Sequence, residues 1–280
     1  MQDVIEIKNL THHYGDKKIY ENLNLNIKKG EVFGILGKNG VGKSTLINIL
    51  MGYLKPLKGD CLILGHKNYN LPNDIKKEIA LLFEGFVSYD FFTIKQYEKF
   101  LSFFYPKWKK DIFYDLVSLM NLNTNQKLST LSYGQKSQVV LGALFAQDAS
   151  LIILDDYSMG LDAGYRRLFI DYLKDYLDGT NKSVIVTSHI MSDLSNLVSS
   201  MIIVEKGGFV HKDTMENFIQ NFNCFKCNVD YDISNLNYKR VENFKQYKLI
   251  YSFENLENEY VQKIDTNFED KFLGFVGKYE

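Results

Sequence analysis

The chain has few cysteines and almost no net charge. Its three cysteines, Cys61, Cys224 and Cys227, are too few for a disulfide framework. The last two have a metal-like spacing, but no second pair or histidine cluster completes four ligands, so we interpret them as ordinary strand residues. Lysines and arginines number 33 against 34 acidic residues, which gives a net charge of -1. This balance provides no general attraction to nucleic acid, and we expect no nucleic-acid partner.

Long apolar runs and a secretion signal are also missing. No stretch approaches the roughly 18 apolar residues that a membrane-spanning helix needs. The segment from Met1 to Glu6 has neither the charged nor the apolar region of a signal peptide. We therefore expect a cytosolic protein. If it acts at a membrane, another chain must supply the channel.

A glycine-rich segment is the most informative feature that is present. Residues 37–44 read G-x-x-x-x-G-K-S, the pattern of a phosphate-binding loop, between an apolar strand pattern at 31–36 and a helical pattern at 44–51. In such a loop, glycines let backbone N–H groups surround the phosphates, the lysine reaches the β/γ oxygens, and the serine hydroxyl binds Mg²⁺. The sequence therefore predicts binding of ATP and Mg²⁺ by Gly37, Lys38, Asn39, Gly40, Val41, Gly42, Lys43, Ser44 and Thr45.

Two acidic residues follow a second apolar run. Residues 151–154 and 183–187 predict buried strands of a parallel sheet, and a helical pattern at 166–177 lies between them, so we expect an α/β core. Asp155 stands where phosphate-loop enzymes place a Mg²⁺-organising aspartate. Asp156 can orient or deprotonate an attacking water. These residues add a metal ligand and a catalytic group to the phosphate loop.

Strand patterns at 4–10 and 18–27 predict a small sheet over the nucleotide. Between them, Tyr14 can either stack on adenine or serve as a strand-edge aromatic. A further strand is predicted at 201–204, followed by a hairpin turn at 205–208.

The segment at about 84–147 has the character of a helical insert. Eleven aromatic residues occur between Phe83 and Trp108. Thr93 and Gln96 form a capping box before a helix that Pro106 ends, and a second helix follows around residues 112–120. Two short helices cannot hide so many rings. We interpret part of this surface as a docking groove for a partner helix, although most of the rings must be core.

Residues 213–280 predict a small α+β appendage. Alternation at 225–233 and at 247–253 indicates two half-exposed strands, and apolar residues at 268–276 have helical spacing. We hypothesise that this appendage contacts its counterpart in a pair of chains.

The segment Leu-Ser-Tyr-Gly-Gln-Lys at residues 131–136 resembles the LSGGQ signature of ABC-type ATPases. Tyr14, the phosphate loop, Asp155 with Asp156, residues 158–162 and His189 extend the resemblance over residues 1–212. It implies a P-loop NTPase fold with an antiparallel β subdomain and a helical signature subdomain, followed by the appendage. It also implies a head-to-tail dimer, homo- or heteromeric, in which the phosphate loop of one domain faces Ser132, Gly134 and Gln135 of the other. Serine and backbone N–H groups at a helix start suit a γ-phosphate.

The resemblance assigns two further roles. Residues 158–162 would communicate between the two ATP sites, and His189 would contact the γ-phosphate.

The sequence departs from the family pattern at three positions. Asp156 replaces a glutamate, Glu84 replaces a glutamine, and Tyr133 replaces a glycine of the signature. Asp156 shortens the reach to the water by about 1.5 Å, a misplacement that can cost roughly a hundredfold in rate. Glu84 can still bind Mg²⁺. We hypothesise that Glu84 and Asp156 set the water and metal geometry together and that hydrolysis is slow; alternatively, Asp156 marks a weak site beside a different, competent chain.

The layout favours the detached ATP-binding and ATP-hydrolysing subunit of a transporter. Only 94 positions separate Gly37 from Leu131, so the very long coiled coil of a chromosome-maintenance or break-repair ATPase does not fit well. We expect a separate transmembrane permease docked at the aromatic insert, on the cytoplasmic face of the cell membrane. The layout resembles bacterial exporters of drugs, bacteriocins or other peptides. The alternative is a soluble non-transport ATPase with a regulatory or nucleic-acid-linked role.

Overall fold

A computed structural model describes residues 3–83, 85, 89–158, 161–188 and 190–278. The strands run, in chain order, as β1 (Asp3–Tyr14), β2 (Lys17–Lys28), β3 (Val32–Gly37), β4 (Lys58–Ile63), β5 (His66–Lys67), β6 (Ile79–Leu82), β7 (Leu151–Leu154), β8 (Ser183–Val186), β9 (Ser200–Val204), β10 (Val210–Thr214), β11 (Asn223–Asn228), β12 (Arg240–Asn243), β13 (Tyr247–Ser252) and β14 (Gln262–Ile264). The α-helices are α1 (Lys43–Leu50), α2 (Asn73–Lys76), α3 (Ile94–Ser102), α4 (Lys110–Ser118), α5 (Tyr133–Ala146), α6 (Ala163–Leu177), α7 (Met191–Ser195), α8 (Met215–Asn221) and α9 (Phe268–Val276).

The central sheet has the strand order β10-β9-β3-β8-β7-β6. Its strands are parallel except β10, which pairs antiparallel with β9 across the predicted turn. Both faces of the sheet are covered, so β7 and β8 are buried at every position, as their continuously apolar sequences predict. The predicted α/β core is confirmed.

A second sheet, β2-β1-β4-β5, is antiparallel and packs beside the phosphate loop. Apolar residues such as Ile5 and Ile27 belong to one buried cluster with Phe33 of β3 and Leu46 of α1. Burial of this shared cluster fixes the small sheet over the loop, which is the arrangement that the two strand patterns predict.

Helices α3 to α5 form the insert before β7. The Thr93 hydroxyl accepts from the backbone N–H of Gln96, and the Gln96 side chain accepts from the backbone N–H of Thr93, so the predicted capping box is confirmed. Several rings stay exposed, among them Phe103 at 78% and Phe91 at 68%. The prediction that these helices cannot cover all the rings is therefore also confirmed.

The carboxy-terminal residues form an antiparallel sheet of order β12-β13-β11-β14 with α8 and α9. One prediction was wrong here, because β11 ends at Asn228 although the alternating pattern continues to Ile233. Asn228 Oδ1 accepts from the backbone N–H of Asp230, and Asp232 Oδ1 accepts from that of Ser234. These local turns draw the backbone away from the ladder, while Tyr231 and Ile233 still pack on a small apolar cluster.

Cys224 and Cys227 both lie in β11 with free, buried thiols, as expected for strand residues. Within the described ranges, no helix is both long enough and apolar enough to cross a bilayer.

Candidate functional site

The phosphate loop, Asp155 and Thr187 follow β3, β7 and β8, which are neighbours in the central sheet. Because these strands are parallel, their carboxyl ends meet at one edge, where ligands bind in open α/β sheets. The edge carries a cleft of about 430 Å³ lined by Tyr14, Lys17, Ile19, Asn39, Gly40, Gly42, Lys43, Ser44, Thr45, Asp155, Asp156 and Thr187.

The shape of the loop depends on Gly42 and on a tyrosine behind it. Gly42 has φ +120°, and a side chain there would collide with Ile19 and approach Tyr20. The buried Tyr20 hydroxyl donates to the Gly42 carbonyl over 2.9 Å. Burial raises the pKa of Tyr20, so this hydroxyl keeps its proton and remains a donor. The second strand of the small sheet thus holds the loop where helix α1 begins.

Lys43 is buried at the centre of the loop. Its Nζ donates to the carbonyls of Gly37 at 2.8 Å and Lys38 at 3.0 Å. Lys17 Nζ reaches the Gly40 carbonyl over 3.0 Å from β2. These contacts place two cations along the loop, and the first turn of α1 adds backbone N–H groups and the positive end of the helix dipole. The cleft is thereby suited to an anion with several negative charges.

On the acidic side of the cleft, Thr187 holds the two aspartates in place. Thr187 Oγ1 donates to Asp155 Oδ1 and accepts from the backbone N–H of Asp156, both over 2.8 Å. The carboxylate of Asp155 is thus oriented from the neighbouring strand β8. Oxygen ligands of this type suit a hard cation such as Mg²⁺.

Asp156 sits in a strained backbone conformation with φ +49°. Such left-handed geometry is uncommon for residues other than glycine, although aspartate tolerates it better than most. Ser158 Oγ donates to Asp156 Oδ1 over 2.9 Å and lies 3.0 Å from Ser188 Oγ. The direction of this carboxylate is therefore set by the turn and by the serine after it.

Tyr14 lies at the mouth of the cleft and is 51% exposed. Its ring meets the buried His12 edge to face, with centroids 4.8 Å apart. Burial lowers the pKa of His12, and the nearby His13 acts in the same direction, so the supporting imidazole stays neutral. The exposed ring can therefore stack on a flat ligand.

The signature-like segment forms the start of α5. Ser132 is the N-cap: its hydroxyl accepts from the backbone N–H of Gln135, whose side chain accepts from the backbone N–H of Ser132. Tyr133 is partly exposed and has no left-handed backbone, which explains why this position does not require glycine. A side chain at Gly134 would lie 2.7 Å from the ring of Tyr165. The tight contact fixes the serine and the helix start against α6.

We expect Gly134→Ala to destabilise the fold by about 1–3 kcal/mol, because its methyl group would overpack this contact. Denaturant unfolding measures the change. Gly134→Ala combined with Tyr165→Ala should lose less than the sum of the two single variants, since the second change makes room for the methyl. Strictly additive losses would contradict the steric explanation.

The structure brings together most, but not all, of the expected site residues. Gly37, Lys38 and Val41 do not line the cleft; they border two clefts toward the appendage. Ser132, Gly134 and Gln135 are not among the residues that line it. The predictions for Glu84 and His189 lie outside the described residues, as do residues 159 and 160 of the segment 158–162. In that segment, Asp162 caps α6 by accepting from the backbone N–H of Tyr165.

Sequence reasoning missed the contributions of Thr187, Ser158 and Tyr20. Thr187 could have been found, because it follows a strand beside the one that ends at Asp155. No pattern in the sequence predicts the hydrogen bond from the Tyr20 hydroxyl to the Gly42 carbonyl, because the pairing of β1 with β2 determines where the Tyr20 ring lies.

Comparisons with known proteins identify the family. The family described as ABC transporter matches residues 20–158. The SkfA peptide export ATP-binding protein SkfE of Bacillus subtilis is 33% identical, over 73% of this chain and 86% of that protein. The bacitracin transport ATP-binding protein BcrA of Bacillus licheniformis is 28% identical, over 74% of this chain and 68% of that protein.

A solved dimeric ATP-binding cassette, in a post-hydrolysis state with ADP and Pi, superposes with a TM-score of 0.64. It is 26% identical and is covered over 98% of its length, against 75% of this chain.

A phosphate loop, an acidic strand end and a capped signature helix on this fold define a nucleotide-binding ATPase domain. The chain belongs to the family of ABC transporter ATP-binding proteins. It is an ABC-type ATPase, and domains of this class bind ATP and ADP.

Proposed function

We propose that this chain is the ATP-hydrolysing subunit of a transporter, that it works as a head-to-tail pair, and that it drives a separate permease from the cytoplasmic face of the membrane. The main support for a pair of chains is that the expected ATP-site residues lie in two separate places on one chain. The cleft gathers the phosphate loop and both aspartates, while Ser132 stands at the start of α5 and does not line it. A second copy, or a related chain, would bring its serine and helix start to the γ-phosphate.

Within one chain, the roles follow from the contacts. Lys43 and the loop N–H groups would hold the β- and γ-phosphates, Tyr14 would stack on the base, and Ser44 with Asp155 would hold Mg²⁺. The bound ion would neutralise charge that develops between the β- and γ-phosphates. We retain Glu84 as a further metal-side group and His189 as a γ-phosphate contact, as the family resemblance implies.

Asp156 would orient the attacking water and accept its proton. Ser158 donates to this carboxylate, which supports slow turnover: the side chain is short and one oxygen already accepts a hydrogen bond. The same serine opens the segment 158–162. Separation of the two chains could therefore be sensed at the catalytic carboxylate.

The permease would dock beside the insert. A cleft of about 560 Å³ lies beside the insert and the end of α1, and Tyr53, Tyr69, Phe83 and Tyr105 are among the residues that line it. Tyr53 and Tyr69 are 64% and 65% exposed. Exposed aromatic rings beside a groove suit an amphipathic helix of a partner protein.

We expect Tyr53→Asp and Tyr69→Asp to reduce co-purification with the permease in detergent by at least tenfold, because a carboxylate would be buried at an apolar contact. Pull-down and permease-stimulated ATPase activity measure this. Tyr260→Asp is the matched control, since that ring is similarly exposed but lies on the appendage. Equal losses from the control and the two test variants would place docking elsewhere.

We further propose that the transporter exports peptides or drugs. The support is the similarity to two proteins whose names state peptide export and bacitracin transport. Inverted vesicles that contain the permease and this chain should take up a labelled amphipathic peptide only with MgATP. ATP-dependent accumulation in right-side-out vesicles alone would contradict export.

A further inference from the structure

We propose a second anion site, where the appendage meets the back of the phosphate loop, that binds the phosphate group of a small molecule. A cleft of about 380 Å³ lies there, apart from the nucleotide cleft. It is lined by Lys38, Asn39, Val41, Val204, Glu205, Lys206, Phe209, Arg240, Val276 and Lys278. No role in ATP binding or hydrolysis uses Lys206, Phe209 or Arg240.

The charges around this cleft are strongly one-sided. Among the described residues that line it, four side chains are cationic and one is acidic. The single carboxylate, Glu205, is engaged by Lys239 over 2.7 Å. Lys278 is bound by Glu242 over 2.6 Å. Arg240 and the exposed Lys206 are therefore the groups best placed to receive an anion.

Arg240 is built into the wall of the cleft. Its guanidinium lies against Gly277, where a Cβ would come within 2.5 Å of Nη1 and where φ is +82°. Its Nε is buried and has no hydrogen-bond partner anywhere in the described part of the chain. A buried donor without a partner is costly, and an oxygen of a bound phosphate would satisfy it. A guanidinium with a fixed orientation is also the preferred partner for phosphate geometry.

Phe209 adds a ring beside these cations. It is 71% exposed in the turn that joins β9 to β10, although it lines the cleft. An organic phosphate with a flat group could stack on it, whereas free phosphate could not. Stacking on Phe209 therefore distinguishes an organic phosphate from free phosphate.

The site touches the phosphate loop directly. Lys38 Nζ donates to the Lys278 carbonyl over 2.8 Å, and Asn39 lines both clefts. An anion held by Arg240 should therefore change the affinity of the loop for nucleotide, and nucleotide should change the affinity for the anion by the same factor. Only this coupling rests on the proposed function; binding itself does not require hydrolysis or a permease.

Calorimetric titration of the full chain, saturated with MgADP, tests the proposal with inorganic phosphate and AMP as probes. We expect one additional site per chain. Arg240→Gln should weaken it at least tenfold and Lys206→Gln a few-fold, while Arg167→Gln, a matched change of an exposed cation on α6, should leave it unchanged. Phe209→Ala should weaken AMP but not phosphate if the natural ligand is an organic phosphate; unchanged affinity for both probes would assign the site to free phosphate.

Three results would overturn the proposal. One is no binding beyond MgADP, another is binding that survives both Arg240→Gln and Lys206→Gln, and the third is an equal loss of binding in Arg167→Gln. Because Lys206 is exposed, its variant still tests the site even where Arg240→Gln fails to fold.

Discussion

Asp156→Asn should lower ATP turnover by about 10²–10⁴-fold, the usual contribution of a positioned general base. The amide cannot accept the proton of the attacking water, yet it can still accept the hydrogen bond from Ser158 that fixes the side chain. Binding should therefore survive. With MgATP the variant should elute as a dimer, because the nucleotide that joins the two chains is no longer cleaved.

Asp156→Glu tests the effect of side-chain length, because it keeps the carboxylate and adds one methylene. The longer side chain restores the missing methylene and should raise turnover above that of the natural chain, by up to about a hundredfold. Asp171→Asn, an exposed acid on α6, is the control and should change nothing. A glutamate variant no faster than the natural chain would show that length does not limit the rate.

Glu84→Gln tests whether the two acidic departures act together. If Glu84 and Asp156 set one water and metal geometry, Glu84→Gln should cost little once Asp156→Asn is present. Strictly additive losses in steady-state turnover would show that the two positions act independently.

Lys43→Met should weaken MgATP binding about 10–150-fold, because a buried ammonium that hydrogen-bonds charged phosphates contributes about 1.5–3 kcal/mol. Turnover should fall further, by about 10²–10³-fold, since the same charge stabilises the transition state. Methionine keeps the apolar stem, so the loop should remain folded. Fluorescent nucleotide titration and steady-state turnover measure the two effects.

Lys18→Met is the matched control for Lys43→Met, because it removes an exposed lysine that pairs with Glu21 on the same strand, β2. It should leave both binding and turnover unchanged. Equal losses in the two variants would mean that general charge, rather than the placement of Lys43, attracts the nucleotide.

The nucleotide half of the fold was predictable because its signals are local. The apolar run 151–154 is a strand over the predicted residues, and Thr93 caps the helix that its spacing with Gln96 indicates. The glycines and lysine of the loop act through backbone geometry that the motif itself specifies. Such features depend on neighbours a few positions away in sequence.

Other parts of the site depend on contacts between distant segments. Thr187 and Asp155, which are joined by a hydrogen bond, are 32 positions apart in the sequence, and Tyr20 and Gly42 are 22 positions apart. The strand prediction extended past Asn228 for a local reason. Apolar alternation indicates which side chains are buried, but it does not indicate whether the backbone pairs with a neighbouring strand. Asn and Asp side chains then redirected the backbone.

The appendage shares its interior with the ATPase domain. Phe218, Phe222, Phe268 and Phe272 belong to the same buried cluster as Leu36 and Val186. Truncation of the chain at residue 212 would expose this apolar surface, and we expect the truncated protein to aggregate. The whole chain should therefore unfold in a single calorimetric transition.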